Sequence, residues 1–540
     1  MAFLAAKLPS LRAISMAALA VACAIQLRVV TGSLERLVAI ATYDDTFLYL
    51  TVARNLAAHG FPSFDGETLT NGFQPLWGAV MAATAYVIRD RDLLLRAACL
   101  ICVCLNVATG LLIIRIGQAL RAAAIGWMAA VVWSCFLMWP RSITGTEASL
   151  HGFVFALIGL AAVRWWDAGA DGRGRPSAWL LGALLALNAL CRLDSALVSG
   201  LIALALTRKL PRRRFVDGVI PLLLPLLAFL AAYVLTNSVI FGTAAPVSGT
   251  TKIFWAHEAK GLPLFADLSG ALLGSLQMWG QSMMALTGLW DSRPRGVVVP
   301  LVTAGLTAAV VLGVMAARKA SVSFIPVAGL LLALAIHTLF LHILLRGFAF
   351  ASWYYQPLRM TVALAVGFTA FLLSQPRHPL ASRSLGTLLI VAILGLSIGR
   401  SVLAMSDASW KGDLFGTRLH VAEWISQSDL LDADWKIGAW NSGQLGYFCT
   451  RPIVNLDGFV QGPRFLDEVL RPGRWRPYFQ QHRLGYLVDY NRADATQTSG
   501  GNWDRERWFR RIVPMQRARV IKRSGSILVV DIRPWLETDP

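Results

Sequence analysis

The sequence predicts a polytopic α-helical membrane protein that carries a C-terminal α/β domain outside the bilayer. Three observations predict it. Of the 540 residues, 56% are hydrophobic and the mean hydropathy is +0.56, well above the apolar share of soluble domains. Apolar runs of about 20 residues recur from Leu11 to Met405, each long enough for the hydrocarbon core; they are expected to be helices, because lipid satisfies no backbone hydrogen bond. After Met405 the composition changes, and short alternating runs separated by Gly, Pro and charged residues replace the long apolar ones.

The first span, about 11–30, follows Lys7 and Arg12 and reads as an uncleaved signal anchor. A mixed stretch, 31–92, comes next; within it Asp44 and Asp45 open a run to His59 that reads as an amphipathic helix. The run 72–88 is short for a crossing and is expected to dip in and return. With that choice the later spans fall at 93–114, 122–139, 149–163, 178–191, 195–207, 216–241, 297–317, 324–345, 358–373 and 385–405, about 11 in all. The segment 264–289 is apolar but broken by Gly, Ser and Gln, and is assigned to the outer surface.

Charge supports this register. It puts 16 Lys/Arg in six cytoplasmic segments, the Arg212–Arg214 cluster among them, against only Asp167 and Asp171. That is the positive-inside pattern, so the net charge of +19 is read as topology rather than as nucleic-acid binding. Residues 1–405 are expected to form a transmembrane domain and 406–540 a soluble extracytoplasmic domain, whose 19 Lys/Arg nearly balance 16 Asp/Glu. Its expected strands are 435–440, 486–490 and 526–532. Six of seven cysteines lie within apolar spans and are expected to pack rather than pair or bind metal.

The same register gathers the unusual polar residues on the outer face, where ionisable groups at membrane depth default to function. Asp44 and Asp45 stand at a helix start: one acid explains a cap, and the second is left over. Adjacent carboxylates repel, which raises one toward a useful base. Glu147 and His151 are four apart and share a helical face; Glu147 could equally cap that helix. Arg192 and Asp194 interrupt two short apolar runs, either as a mutual salt bridge or as an Arg for a lipid phosphate with an Asp to orient it. Lys252 ends a Gly/Pro/Ser/Thr loop and can reach a phosphate as a point charge. Trp353, Tyr354 and Tyr355 fit a sugar-stacking group or, more simply, an aromatic belt. No Walker A loop, dinucleotide fingerprint, His-Glu-x-x-His or nucleophile elbow occurs. A nucleotide-fed cytoplasmic enzyme is therefore disfavoured.

These motifs, in this order and on one side, resemble the GT-C glycosyltransferases. Asp44-Asp45 is similar to the acidic first-loop motif of that superfamily. Gly145-Thr146-Glu147 resembles the Gly-Met-Glu-Thr stretch of the subset containing the mycobacterial terminal arabinofuranosyltransferases, near the protein mannosyltransferase-like group, with Thr146 in place of Met. Arg192-Leu193-Asp194 is similar to its Arg-Pro-Glu/Asp, with Leu193 in place of Pro, and the loop from Phe241 to Lys252 resembles its Gly/Pro loop ending in Lys. Asn441-Ser442-Gly443 to Tyr447, with Asn455-Leu456-Asp457-Gly458, resembles an external-domain signature of related bacterial proteins.

The resemblance implies an inverting plasma-membrane glycosyltransferase, moving a sugar from a polyprenyl-phosphate donor to an envelope glycan, lipid or protein on the extracytoplasmic face. Asp44 would be the general base, with Asp45 as the substitute. Arg192 and Lys252 would hold the donor phosphate. Glu147 and Asp194, with His151, Trp353, Tyr354 and Tyr355, would bind sugar or acceptor. Some relatives use a divalent metal at the acidic motif; no third clustered ligand accompanies Asp44 and Asp45, so no metal or other cofactor is expected. The competing readings are a transporter or flippase of lipid-linked saccharides and a non-catalytic envelope assembly subunit.

Overall fold

The structure, a computed structural model, describes residues 8–139, 142–168, 176–210, 215–265, 267–287, 325–346, 352–373, 393–402, 414–490, 512–525 and 527–538. The expected span 297–317, most of 385–405, the Arg212–Arg214 cluster and the other loop charges at 171–175, 318–319, 377 and 383 lie outside them.

The chain is mostly helical. In order come α1 (Leu8–Val30), α2 (Leu34–Ala41), α3 (Asp44–His59), α4 (Pro75–Val87), α5 (Arg91–Ala119), α6 (Ala123–Leu137), α7 (Ala148–Asp167), α8 (Ala178–Cys191), α9 (Ala196–Thr207), α10 (Phe215–Phe241), α11 (Val247–Ala256), α12 (Leu268–Thr287), α13 (Ile325–Leu345) and α14 (Gln356–Leu373). Among the described residues, five helices are long and apolar enough to cross a membrane: Leu11–Val30, Arg91–Ala119, Ala148–Asp167, Gly218–Phe241 and Ile325–Leu345. Helices α1, α5–α10, α13 and α14 share one apolar core, centred on Trp133, Phe155, Trp165 and Phe368. The 13-residue α4 spans only about 20 Å at 1.5 Å per residue, short of the hydrocarbon thickness, and α6, α8 and α9, at the expected spans 122–139, 178–191 and 195–207, are similarly short. The segment expected on the outer surface at 264–289 holds the 20-residue α12, which packs along α13.

Local sequence sets these boundaries. Thr46 Oγ1 accepts from the Tyr43 N–H at 3.3 Å, and Asp44 and Asp45 occupy the first turn of α3, where acids complement the helix dipole. Gly60, at φ 80°, ends that helix and donates to Leu56 O, a left-handed cap that glycine adopts without strain. Pro75 opens α4, and Asp90 caps α5 by accepting from Leu93 N at 2.8 Å. Between α8 and α9 the chain breaks: Arg192 is extended, at φ −151°, and Leu193–Ser195 forms a single 3-10 turn.

The C-terminal part is a five-stranded mixed sheet of order β2-β1-β3-β5-β4, with β1 (Lys436–Ala439), β2 (Ile453–Asn455), β3 (Leu484–Tyr490), β4 (Arg519–Ser524) and β5 (Ile527–Asp531). Strands β2, β1 and β3 are parallel, and β3, β5 and β4 are antiparallel. Alternate residues face opposite sides: Tyr486, Val488 and Val529 enter one core, Leu487 and Val530 the other. Three strands stand where the sequence predicts them; β2 and β4 are additions.

Helix α3 lies between the two parts. Phe47, Leu50 and Ala53 pack into the helical side with Trp77 and Cys99. Leu48 and Val52 pack into the sheet side with Ile437, Leu445 and Tyr486. That arrangement leaves the stripe of Asp45 and Tyr49, four apart, on a third face.

Candidate active site

That third face borders an open cleft lined by Asp45, Tyr49, Gln74, Glu147, Arg192, Ser248, Lys252, Tyr354, Phe459 and other residues. Five of the residues singled out in the sequence therefore meet: Asp45, Glu147, Arg192, Lys252 and Tyr354.

Each reaches the cleft through a local device. The loop before α7 is drawn onto α3 by a parallel bridge between Thr42 and Thr144 and by the Thr46 hydroxyl donating to Thr144 O. Gly145, at φ 67°, permits that approach, since a Cβ there would stand 2.6 Å from Thr46 Cγ2. Glu147 occupies the N-cap position of α7 without capping it. Instead its Oε1 accepts from Arg192 at 2.5 Å, with both side chains at most 5% exposed. Arg192 also pairs with Asp194 at 3.2 Å, and Asp194 with His337 at 3.0 Å. Gln74 Oε1 accepts from Leu193 N at 3.1 Å and fixes the broken turn. Lys252 rides on α11, whose start is pinned by Asn71 Oδ1 accepting from Val247 N.

The cations and rings alternate. The Arg192 guanidinium lies 3.9 Å from the Tyr354 ring centroid, and Lys252 Nζ lies 5.4 Å from that ring and 5.5 Å from Phe459. Lys252 also donates to the Tyr354 hydroxyl at 2.6 Å. Among the described residues, Glu147 Oε2 and Arg192 Nε are buried without a hydrogen-bond partner, a costly state in a native interior.

Electrostatics separate the two aspartates. Burial, opposed by Lys252 and reinforced by Asp44, Glu147 and Asp457, raises the Asp45 carboxyl to about 6. Burial lowers the Lys252 ammonium, but Tyr354 and Asp45 outweigh it and hold the group above its ordinary value. Asp44 points elsewhere. Its oxygens accept from Arg418 at 3.0 Å and from the Gly443 and Gln444 N–H groups at 3.0 and 3.1 Å, so it fastens α3 to the helices Leu414–Gln427 and Gly443–Phe448 beside the sheet.

The remaining sequence candidates stand behind the cleft. His151 meets Ser195 Oγ at 2.9 Å and supports the Arg192 turn. Asp194 holds Arg192 from the far side. Tyr355 packs in the helical core. Trp353 shares the turn Ser352–Tyr355, and its side chain lies outside the described set. Sequence reasoning missed Gln74, His337, Arg418 and Phe459. None sits in a motif, and only His337, an ionisable side chain inside the apolar helix α13, was a visible signal.

The donor set does not suit a divalent cation. Among the described residues no three His, Cys, Asp or Glu side chains gather. Asp44 is committed to Arg418 and Glu147 to Arg192, and the local positive charge comes from Arg192 and Lys252.

No family model matches this chain, and no curated protein matches it. Among solved structures it is similar to the oligosaccharyltransferase of Archaeoglobus fulgidus, crystallised with a tethered acceptor peptide containing the NVT sequon. The TM-score is 0.51 at 11% identity, over 88% of this chain and 69% of that one. The same archaeal enzyme, AglB, in complex with an inhibitory peptide and a dolichol-phosphate, aligns with TM-score 0.48 at 12% identity over 88% and 69%. ArnT from Cupriavidus metallidurans bound to undecaprenyl phosphate aligns with TM-score 0.45 at 15% identity over 96% and 98%. The likeness to the first of these concerns the fold alone: this chain shares the overall fold of that archaeal oligosaccharyltransferase.

Proposed function

We propose that this protein is an integral-membrane inverting glycosyltransferase that takes its sugar from a polyprenyl-phosphate donor. One observation carries the reading: a half-buried carboxyl raised to about 6, Asp45, lines the same cleft as two cations bridged by Tyr354. A general base poised near neutrality and a preformed cationic cradle are the two parts such a transfer needs. Asp45 takes the proton of the acceptor hydroxyl as its oxygen bonds to the anomeric carbon. The bond from that carbon to the phosphate oxygen breaks, and the lipid phosphate leaves with the electron pair. Lys252 and Arg192 stabilise its charge, while Glu147, held by Arg192, presents its free oxygen to a sugar or acceptor hydroxyl. Asp44 belongs to the scaffold in this scheme.

The chemistry is assigned to the extracytoplasmic face of the plasma membrane, with the N-terminus inside and about 11 spans. The positive-inside distribution supports that orientation. The division into a membrane part, 1–405, and a soluble part, 406–540, follows the change in composition, and the sheet supports it. The acceptor is an envelope glycan, lipid or protein. Motif resemblance makes arabinofuranose the first donor sugar to try.

The test is transfer of radiolabelled sugar from polyprenyl-phosphoryl arabinofuranose, mannose or glucose to envelope acceptors by purified protein in proteoliposomes. Wild type is expected to make labelled product, and Asp45→Asn to lower the rate about 10²–10⁴-fold, as for loss of a general base. A transporter or assembly subunit would move or bind the lipid with no product, and equal rates in the two proteins would defeat the assignment.

A further inference from the structure

Phe459 lines the cleft, yet it comes from the C-terminal sheet, on the loop after β2. That loop is built to hold one shape. Asn455 Oδ1 accepts from both Gly458 N and Phe459 N, at 2.9 and 3.1 Å, and Asn455 Nδ2 donates to Ser442 Oγ at 2.8 Å. Gly458 sits at φ 82° against Leu470, Thr251 and Phe465.

The membrane part grips the loop from two sides. Thr251 donates to Gly458 O and Trp255 to Asp457 O from α11, while Thr70 donates to Gln461 O from the first loop. Gly72 lies so close that a Cβ there would stand 1.9 Å from Phe459 O. The backbone that carries the ring is therefore held in one place.

We infer that Phe459 packs against the donor sugar and helps select it. The inference rests on the proposed binding of the donor phosphate by Arg192 and Lys252. Those groups run in the order Arg192, Tyr354, Lys252, Phe459, with Lys252 Nζ 5.5 Å from the Phe459 ring. A sugar joined to a phosphate at Lys252 lies one bridging oxygen away, within reach of that ring. Sugar rings carry an apolar C–H face, which an aromatic face accommodates. A wall carried on a held backbone discriminates by shape, because a ligand that does not fit gains nothing from its movement.

The test measures binding of three probes to the full-length protein in detergent by native mass spectrometry. The probes are farnesyl phosphate, farnesyl-phosphoryl arabinofuranose and farnesyl-phosphoryl mannose. Wild type is expected to bind one glycosyl probe more tightly than farnesyl phosphate. Phe459→Leu and Phe459→Met should weaken that probe about fivefold, the scale of one lost aromatic contact, and leave farnesyl phosphate within about twofold. Phe459→Tyr should bind as wild type does. Equal loss for farnesyl phosphate, no loss at all, or a wild type that binds the three probes alike would overturn the inference while sparing the phosphate site. A wild type that binds none of them would overturn the phosphate site, and the inference with it.

Discussion

Asp45 and Asp44 are chain neighbours with different surroundings, because a helix turns about 100° per residue. Asp45 is aimed at the cleft with Tyr49, and Asp44 at Arg418 and the Gly443 and Gln444 amides. The raised carboxyl of Asp45 has two consequences. As a base it works only when ionised, so transfer should climb between about pH 5 and pH 7 and level off above. Its folded value, about 6, lies above its ordinary 3.8, so the fold favours the neutral form and loses stability as pH rises through 6. Asp45→Asn should then melt above wild type at about pH 7.5, by up to roughly 3 kcal/mol for a two-unit shift, with the gap closing below about pH 4. A variant that melts below wild type at the higher pH would contradict the burial argument. The acidic pair was legible in the sequence, and its division of roles was not, because adjacency hides which oxygens meet partners 374 and 400 residues away. Tyr354 fitted an aromatic belt more simply than a binding site until folding put it between Arg192 and Lys252.

Helix α3 and the loops that grip it are where the helical and sheet parts become one site. Two glycines mark the closest approaches: Gly72 against Phe459 O and Gly443 against Asp44 O, where an added Cβ would stand at 1.9 and 2.2 Å. Backbone cannot swing aside as a side chain does, so Gly72→Ala should cost about 1–3 kcal/mol or more. Gly200→Ala, in α9 with nothing within 4 Å of its Cβ position, should be neutral or stabilising by about 0.5–1 kcal/mol. Thermal melting in detergent compares them, and equal melting points would refute the close approach. At this scale hydrophobic length and caps made most helices legible. Strand β4, Arg519–Ser524, was not, since it is a largely exposed strand at the sheet's edge with no apolar alternation. Strand β2 has three residues, too few for a period to show. The helix α12 was hidden by its Gly, Ser and Gln content, which tertiary packing on α13 overrides.

At the scale of the molecule, the broken turn at Arg192, the start of α3, α11 and the sheet converge at one end of the helical core. Long-range pairing makes that convergence: Glu147 with Arg192 across 45 residues and Lys252 with Tyr354 across 102. Charge counting proposes one side of the membrane for these residues, but it carries no information on their contacts. The proposed orientation predicts labelling in a background with the seven native cysteines replaced. Asp429→Cys should react with an impermeant maleimide added to intact cells, and Arg213→Cys should react only after lysis; the reverse pattern would invert the topology. The most direct test of the account compares transfer from the polyprenyl-phosphate donor by wild type, Asp45→Asn and Asp44→Asn at saturating donor. The account predicts a fall of about 10²–10⁴-fold for Asp45→Asn with donor binding retained, and for Asp44→Asn a lower melting temperature with the rate of the folded fraction within about tenfold of wild type. A fully active Asp45→Asn protein, or an inactive but equally stable Asp44→Asn protein, would contradict it.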